Sequence, residues 1–173
     1  MKKTLLALVF GVFSTFSASS AIDLGILEIS PEVGVAAGKA NFKGLGDYSP
    51  ANYGGYARVW LGTLGIVVAP QVKFDYYTKQ GSKDAFSNTQ YGASIGTNFG
   101  LVVLRLTPYI GANYSSFSKT YADTIAYNAG IKLKPAVLPL AVSLQYTYQK
   151  PDLIGNKSSV TMHNVQLMLG LHF

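Results

Sequence analysis

The chain ends on His163-Asn164-Val165-Gln166-Leu167-Met168-Leu169-Gly170-Leu171-His172-Phe173, and this stretch decides the fold. After His163, every odd position is apolar: Val165, Leu167, Leu169, Leu171 and Phe173. The even positions, Asn164, Gln166, Met168, Gly170 and His172, are mostly polar or small. A period of two sustained this long is a β-strand whose two faces meet unlike surroundings. The same split recurs upstream. Leu27, Ile29, Val33, Val35 and Ala37 oppose Glu28, Ser30, Glu32, Gly34 and Ala36. Ile66, Val68, Val72, Phe74 and Tyr76 oppose Ala69, Gln71, Lys73 and Asp75. Leu104, Leu106, Ile110, Ala112 and Tyr114 oppose Arg105, Thr107, Tyr109, Gly111 and Asn113. Leu138, Leu140, Val142, Leu144, Tyr146 and Tyr148 oppose Ala141, Ser143, Gln145 and Thr147. Residues 53–61, 90–99 and 125–133 complete a set of eight expected strands.

Eight such strands suit a soluble sandwich or barrel, or a membrane barrel. A soluble barrel turns its apolar face inward and a charged face to water. Here the polar face is rich in Gly, Ala, Ser, Gln and Asn and poor in charge, while the other is a continuous band of Leu, Val, Ile and Tyr. That arrangement suits a narrow lumen inside and lipid outside. Composition agrees. Only 13% of the 173 residues are charged, about half the ~25% usual in soluble domains. No internal apolar run reaches the ~20 residues of a membrane helix. The reading is all-β: an eight-stranded antiparallel up-and-down transmembrane β-barrel. Its strands need ~9–11 residues each. Short turns are expected at 62–65, 99–101 and 134–137, and longer loops at 39–52, 78–89, 115–123 and 150–159.

The N-terminus reads as a secretory signal. Lys2 and Lys3 precede the short apolar run 4–13, and Ser19-Ser20-Ala21 offers small residues for cleavage. Residues 1–21 are therefore set aside as a cleaved signal peptide, and 22–173 are the barrel. With no Cys there is no disulfide framework and no thiolate metal site.

Pro31, Pro70 and Pro108 share an apolar–small–Pro–x–β-branched setting, and Pro139 opens another strand. Proline lacks the ladder donor, so a closed sheet holds it at a bulge or a strand start. Two readings follow: a ring of rim bulges, or four independent strand-start prolines.

The charges sort by register. The loops take Lys39, Lys43, Lys79, Lys83, Lys119, Lys150 and Lys157 against Asp47, Asp84, Asp123 and Asp152. The strands take Arg58, Lys73, Arg105, Lys132 and Lys134 against Glu28, Glu32 and Asp75, all on the inward face. Arg58 fixes the second strand, because an outward Arg at the bilayer midplane costs roughly 2–4 kcal/mol. Tyr56, Arg58 and Trp60 are thus expected inside, with Ala57, Val59 and Leu61 outside. An eight-stranded barrel is barely wide enough for its own side chains. Unpaired charges there are expensive. Glu28 and Glu32 are therefore expected to pair with Arg58, Arg105 and Lys132 in a lumenal network, alongside Lys73 and Asp75. The rival is a narrow charged pore, to which the inward glycines 34, 38, 54, 92, 96, 111 and 130 lend space.

The last strand resembles the C-terminal signal of the small eight-stranded outer-membrane barrels. The carriers are terminal Phe173 with Leu171, Leu169, Leu167 and Val165. That group includes the transmembrane domain of outer membrane protein A, outer membrane protein X, and the opacity and neisserial surface proteins. The resemblance is one of architecture and covers the whole mature chain. It implies an integral, monomeric protein of a Gram-negative outer membrane. The implied partners are outer-membrane lipids and lipopolysaccharide, with periplasmic chaperones and the barrel-assembly machinery during biogenesis. Phe173 would also serve any membrane strand as an interfacial aromatic anchor.

Chemistry is sparse. An acyl-transfer or hydrolytic site needs a base, a nucleophile or polar partner, and an acid together. His172 is expected inward at the periplasmic end, with no Ser or acid near it in sequence. His163 is expected outward near the outer leaflet, in a segment without a His-x-Ser element. No phosphate loop, HExxH or Cys/His metal spacing is present. The sequons at Asn113 and Asn156 are short enough to arise by chance. The dispersed positive charge does not suit nucleic acid. No catalytic residue, cofactor or metal is expected. The expected role is structural or surface-interactive with a largely plugged lumen. A small porin-like passive channel is the alternative, and a lipid A-modifying enzyme comes third.

Overall fold

The computed structural model describes residues 22–23, 27–44, 48–155 and 158–173. The expected signal peptide at 1–21 and the residues Asp47, Asn156 and Lys157 lie outside them. Eight long strands form the wall: β1 (Glu28–Lys43), β2 (Ala51–Thr63), β3 (Ile66–Tyr77), β4 (Phe86–Thr97), β5 (Leu104–Phe117), β6 (Thr124–Pro135), β7 (Leu140–Gln149) and β8 (Thr161–His172). Each pairs antiparallel with its sequence neighbour, and β8 pairs with β1, so the sheet closes on itself. Closure leaves the sheet without a free edge, which a bilayer demands. Two short pieces add to it. Ile22–Asp23 folds back on the start of β1, and Phe99–Gly100 pairs with β5.

The alternation read from the sequence is the alternation of the wall. In β8, Val165, Leu167, Leu169 and Leu171 are exposed, while Asn164, Gln166, Met168 and His172 are buried. The exposed set over all strands is an apolar belt of Val, Leu, Ile, Tyr and Phe. A soluble protein does not carry a continuous patch of that kind. It is a surface made for hydrocarbon.

All the long strands but β7, which has 10 residues, run further than the expected 9–11. β1 has 16, β5 has 14 and β2 has 13. Three loops shrink accordingly, to 44–50, 78–85 and 118–123, while the fourth, 150–160, is one residue longer than expected. The physical reason lies inside. Ala40, Phe42, Phe86 and Met162 continue the inward parity past the polar lumen and pack together there, which holds the backbone extended.

At the opposite end the connections are tight. Leu64 and Gly65, both with positive φ, make the two-residue hairpin between Thr63 and Ile66. Positive φ at both central positions is the turn type that matches strand twist. By the general plan of such barrels, this short-turn end faces the periplasm and the loop end faces outward.

The prolines are not bulges. Pro70 faces Ala93 and Pro108 faces Ile131 in unbroken register. On the other side of each, the ladder skips rungs without shifting register. β2–β3 pairing jumps from Arg58↔Gln71 to Leu61↔Val68. β4–β5 pairing stops at Gly96↔Tyr109, and the same register resumes at Phe99↔Leu106. A bulge would add a residue to one strand; none is added. Nor do Pro31, Pro70 and Pro108 start strands, since each lies several residues inside one. Each proline simply points its missing donor at a gap. Pro31 does so where β8 ends, its carbonyl accepting from Phe173 N–H at 2.9 Å. Only Pro139 stands at a strand start. The gap beside Pro108 leaves a lipid-facing groove of about 400 Å³ walled by Ile66, Ile95 and Ile110, with Gly96 and Tyr109 among its lining.

Candidate functional site

The lumen is filled in layers. Lowest, near the short turns, Arg105 Nη1 donates to Glu28 Oε1, and Ser30 donates to the same oxygen at 3.2 Å. This pair is about a third exposed.

The next layer is a hub on Glu32. One carboxylate oxygen accepts from Arg58 Nη2 at 2.6 Å and Tyr56 O–H at 2.7 Å. The other accepts from the Trp60 indole N–H at 2.7 Å, with Lys132 Nζ at 3.7 Å. Arg58 also donates to Ser143 at 2.7 Å. Its remaining N–H groups, Nε and Nη1, find no acceptor because aromatic rings surround the guanidinium. Its central carbon lies 5.0 Å from the Tyr56 ring, 4.8 Å from Trp60 and 5.4 Å from Tyr109. Lys132 sits 3.8 Å over Trp60 and 3.2 Å from His172 Nε2. Cation–π contacts of this kind gain most where water is excluded.

Above the hub, neutral amides and hydroxyls cross the lumen. Gln71 donates to Ser94 and Asn113, Ser94 to Asn128, and Tyr109 to Gln145. Higher still, Lys73 pairs with Asp75 at 3.1 Å and donates to Gln166 at 2.7 Å. Gln166 donates onward to Asp75 and Asn52, and Asn52 to Asn164. The top is an aromatic cap. Phe42, Tyr77, Phe86 and Tyr121 are buried together, with Tyr77 and Phe86 stacked at 4.6 Å. Tyr48 closes over Phe42 at 4.5 Å and shares a short hydrogen bond with Tyr121. Burial holds both phenols above the ordinary tyrosine range; the shared bond pushes Tyr48 further up and pulls Tyr121 partly back.

All seven candidate lumen residues thus point inward, but they fall into three separate groups. Glu28 pairs with Arg105 alone, Glu32 with Arg58 and Lys132, and Asp75 with Lys73. The inward glycines do not open the bore. A Cβ built on Gly54 would collide with the Phe74 carbonyl, and one on Gly130 with the Tyr109 ring. They mark where the wall folds tightly and where large neighbours fill the space. The aromatic cap was not read from the sequence. Its signal was the inward parity of Phe42, Tyr77 and Phe86, carried into segments that look like loop.

Two lysines also move. Lys39 and Lys43 belong to β1 and are exposed on its outer face, on either side of buried Ala40 and Phe42. The expectation that every strand charge faces inward fails there. The expected loop at 39–52 hid them.

The two histidines stand apart. His172 is buried in the lumen beside Lys132. His163 is on the outer face, its Nδ1 2.6 Å from the Tyr146 hydroxyl and its ring beside Tyr148. The ladder sets Asn41 and Tyr148 opposite it, and neither is a carboxylate or a nucleophile of the hydrolytic type. Among the described residues no group of three or more His, Asp or Glu could hold a metal. At the C-terminus, Phe173 is fixed to Pro31 by its N–H, and Val165, Leu167, Leu169 and Leu171 face outward.

The structure is similar to three solved outer-membrane proteins. Neisserial surface protein A aligns with a TM-score of 0.57 and 16% identity, over 84% of this chain and 97% of that one. Ail, the attachment invasion locus protein of Yersinia pestis, aligns with 0.55 and 18% identity, over 86% and 99%. The outer membrane enzyme PagL aligns with 0.56 and 14% identity, over 79% and 97%. The chain has the fold of the small eight-stranded outer-membrane barrels. That fold, together with the apolar belt, is the build of a barrel that spans an outer membrane. No protein-family model matches the sequence, and no curated protein matches it significantly. At these identities the likeness carries the fold and no activity. One of the three barrels is an enzyme by its name, so fold alone does not decide between catalysis and other roles.

Proposed function

We propose that this protein is a sealed, monomeric barrel with a structural or surface-contact role, its interior closed by its own side chains. The observation that carries the reading is the stacking of two unlike seals in one narrow bore. Glu32, Arg58, Trp60 and Lys132 form one of them. Phe42, Tyr77, Phe86 and Tyr121 form the other. An ion would have to displace a fully paired carboxylate and then part a packed aromatic cluster. The loops are short, so a protein partner would find little area to bury beyond the rim. The role then rests on the barrel's outer surface and rim. Residues 1–21 direct export. The β8 end, Phe173 with Leu171, Leu169, Leu167 and Val165, is the segment offered to chaperones and the assembly machinery.

A small channel is the second reading, favoured by one observation. Gln90 Nε2 and Asn128 Nδ2 are buried donors with no protein acceptor. Such groups are ordinarily met by water, so the middle of the bore suits a hydrated pocket. Single-channel recording of the mature chain folded into a planar bilayer separates the two. Silence over a wide voltage range is expected, and discrete openings would replace the sealed reading with the channel. An enzymatic role would have to use His163. Unchanged lipid A profiles in a strain carrying His163→Ala are expected.

A further inference from the structure

We propose that the mouth of the lumen at the short-turn end binds a small inorganic oxyanion of the phosphate class, held between Arg105 and Lys134. The site lies below the Glu32 hub. It therefore goes beyond the sealed-barrel reading and does not depend on whether the bore conducts.

Register places the charges. The inward face carries Arg58, Lys73, Arg105, Lys132 and Lys134 against Glu28, Glu32 and Asp75. All three carboxylates are taken. Asp75 holds Lys73, Glu32 holds Arg58 with Lys132 nearby, and Glu28 holds Arg105. Lys134 is left over, and among the described residues it forms no ion pair. Its position makes that costly. Arg105 and Lys134 stand directly opposite each other on the β5–β6 ladder, with backbones about 5 Å apart. Like charges so placed destabilise a sheet. Lys132 is two residues further in on the same face of β6, about 7 Å along the strand. Asp23, opposite Glu28 on the rim, adds at most one carboxylate and still leaves a cation over. An anion among these three cations would relieve their repulsion.

The hydrogen-bond inventory points the same way. Among the described residues, buried side-chain nitrogens without an acceptor include Arg58 Nε and Nη1, Asn88 Nδ2, Gln90 Nε2 and Asn128 Nδ2. The one buried oxygen without a hydrogen bond, Asp75 Oδ2, has the Lys73 ammonium at 3.1 Å. The unspent capacity of the lumen is thus donor capacity. His172, the last residue of β8, brings it close to the mouth, and it is buried. With Lys132 Nζ donating to its Nε2, the ring proton sits on Nδ1, which has no partner.

Arg105 selects an oxyanion over a halide. Glu28 accepts from Nη1, and the planar fork behind that nitrogen matches two oxygens of one tetrahedral anion. The ligand comes from water rather than from lipid, because both side chains lie on the inward face. Water reaches them there: Arg105 and Glu28 are partly exposed and Lys134 is half-buried.

The test uses the folded mature barrel in non-ionic detergent micelles, in Tris chloride at constant ionic strength. Inorganic phosphate is titrated, and its broadening is followed by phosphorus NMR. Saturable broadening is expected. K134Q is expected to weaken binding roughly tenfold or more, since hydrogen bonds between charged groups exceed neutral ones. R105K keeps a cation beside Glu28 but loses the fork, and it is expected to weaken binding as well. K119Q lies in a loop at the other end and is expected to bind like the parent. K134Q also separates binding from folding. Removing a like charge should raise its urea midpoint, while added phosphate should raise the parent's midpoint and leave that of K134Q unmoved. Should K134Q not fold, R105K decides. Absence of saturable broadening with the parent would overturn the site. So would parent-like binding by K134Q and R105K, an equal loss in K119Q, or chloride displacing phosphate at equal concentration.

Discussion

Glu32→Gln is the sharpest perturbation the lumen offers, because it changes charge while keeping shape. Among the described residues Glu32 is the one anion paired with Arg58 and Lys132, and those partners are almost fully shielded from solvent. Breaking a buried ion pair by removing one partner costs about 3–5 kcal/mol. The amide also has one acceptor oxygen where the carboxylate had two. Either Trp60 N–H, or Tyr56 and Arg58 together, must then face an NH₂ group. An orphaned buried donor adds about 1–3 kcal/mol. The expected loss is therefore roughly 4–8 kcal/mol, against a native stability of about 5–15 kcal/mol for typical proteins. Glu28→Gln provides the contrast. The Glu28–Arg105 pair is 28% and 37% exposed in its side chains, so its removal should cost about 1 kcal/mol or less.

The assay is reversible urea unfolding of the barrel in lipid vesicles, followed by the emission of Trp60, the single tryptophan. Midpoints rather than amplitudes are compared, because Glu32→Gln changes the indole's own surroundings. If Glu32→Gln and Glu28→Gln shift stability equally, the hub does not hold the lumen and the reasoning fails. Should Glu32→Gln not fold at all, Glu32→Leu with Arg58→Met and Lys132→Met provides the check. With all three charges gone, no ion is left buried without a partner, and apolar replacement of a buried ion group is often neutral or stabilising. That triple variant should regain most of the stability, and failure to do so would also count against the account.

Three other perturbations probe the wall. Gly130→Val puts a side chain where the Tyr109 ring lies; overpacking of this sort costs about 1–3 kcal/mol, and urea midpoints should fall while Gly65→Ala, an open turn position with positive φ, strains only the hairpin. Leu64→Asn should stabilise by about 1 kcal/mol, since Leu64 is fully exposed with φ of 49° and asparagine tolerates that conformation; an unchanged midpoint would mean the turn relaxes. Asp123 is held below its usual carboxylate range by the hydrogen bond from Tyr114, and it also accepts from Phe117 N–H at 3.2 Å. Its folded pKa is depressed, so its contribution is present above the unfolded value of about 4 and drains as pH falls through the folded one; the protection of the Phe117 amide, read by NMR exchange relative to the intrinsic rate at each pH, should fall in acid while the barrel stays folded.

How much of this was legible in the sequence depends on which geometric quantity a residue pattern can encode. Alternation encodes the face, so the inward set of Glu32, Arg58, Lys73, Asp75 and Lys132 could be written down in advance. It does not encode stagger between strands. Glu32 had Arg58, Arg105 and Lys132 as candidate partners, and only the barrel's shear decides that Arg105 lies a turn lower, against Glu28. Strand ends were misjudged for a related reason. Gly38, Lys39, Asn41, Lys43 and Gly44 look like loop by composition. Yet Ala40 and Phe42 among them keep parity and pack into the cap, and tertiary packing overrode local propensity. The prolines failed as bulge markers because a closed sheet can skip a rung in place as well as insert a residue.

Burial decides what each of these charges can do. Within the bore, Arg58, Lys73 and Lys132 are set against Glu32 and Asp75, all of them buried. Charge used there can stabilise or specify the barrel, but it cannot recognise a partner. Recognition must therefore come from charge that solvent reaches, and most of the remaining lysines stand in short exposed loops where water screens them. Arg105 and Lys134 differ. They are fixed to rigid strands, and they face a partly enclosed mouth. They also stand opposite each other on the ladder. A charge held in place and poorly screened discriminates among ligands better than a mobile solvated one.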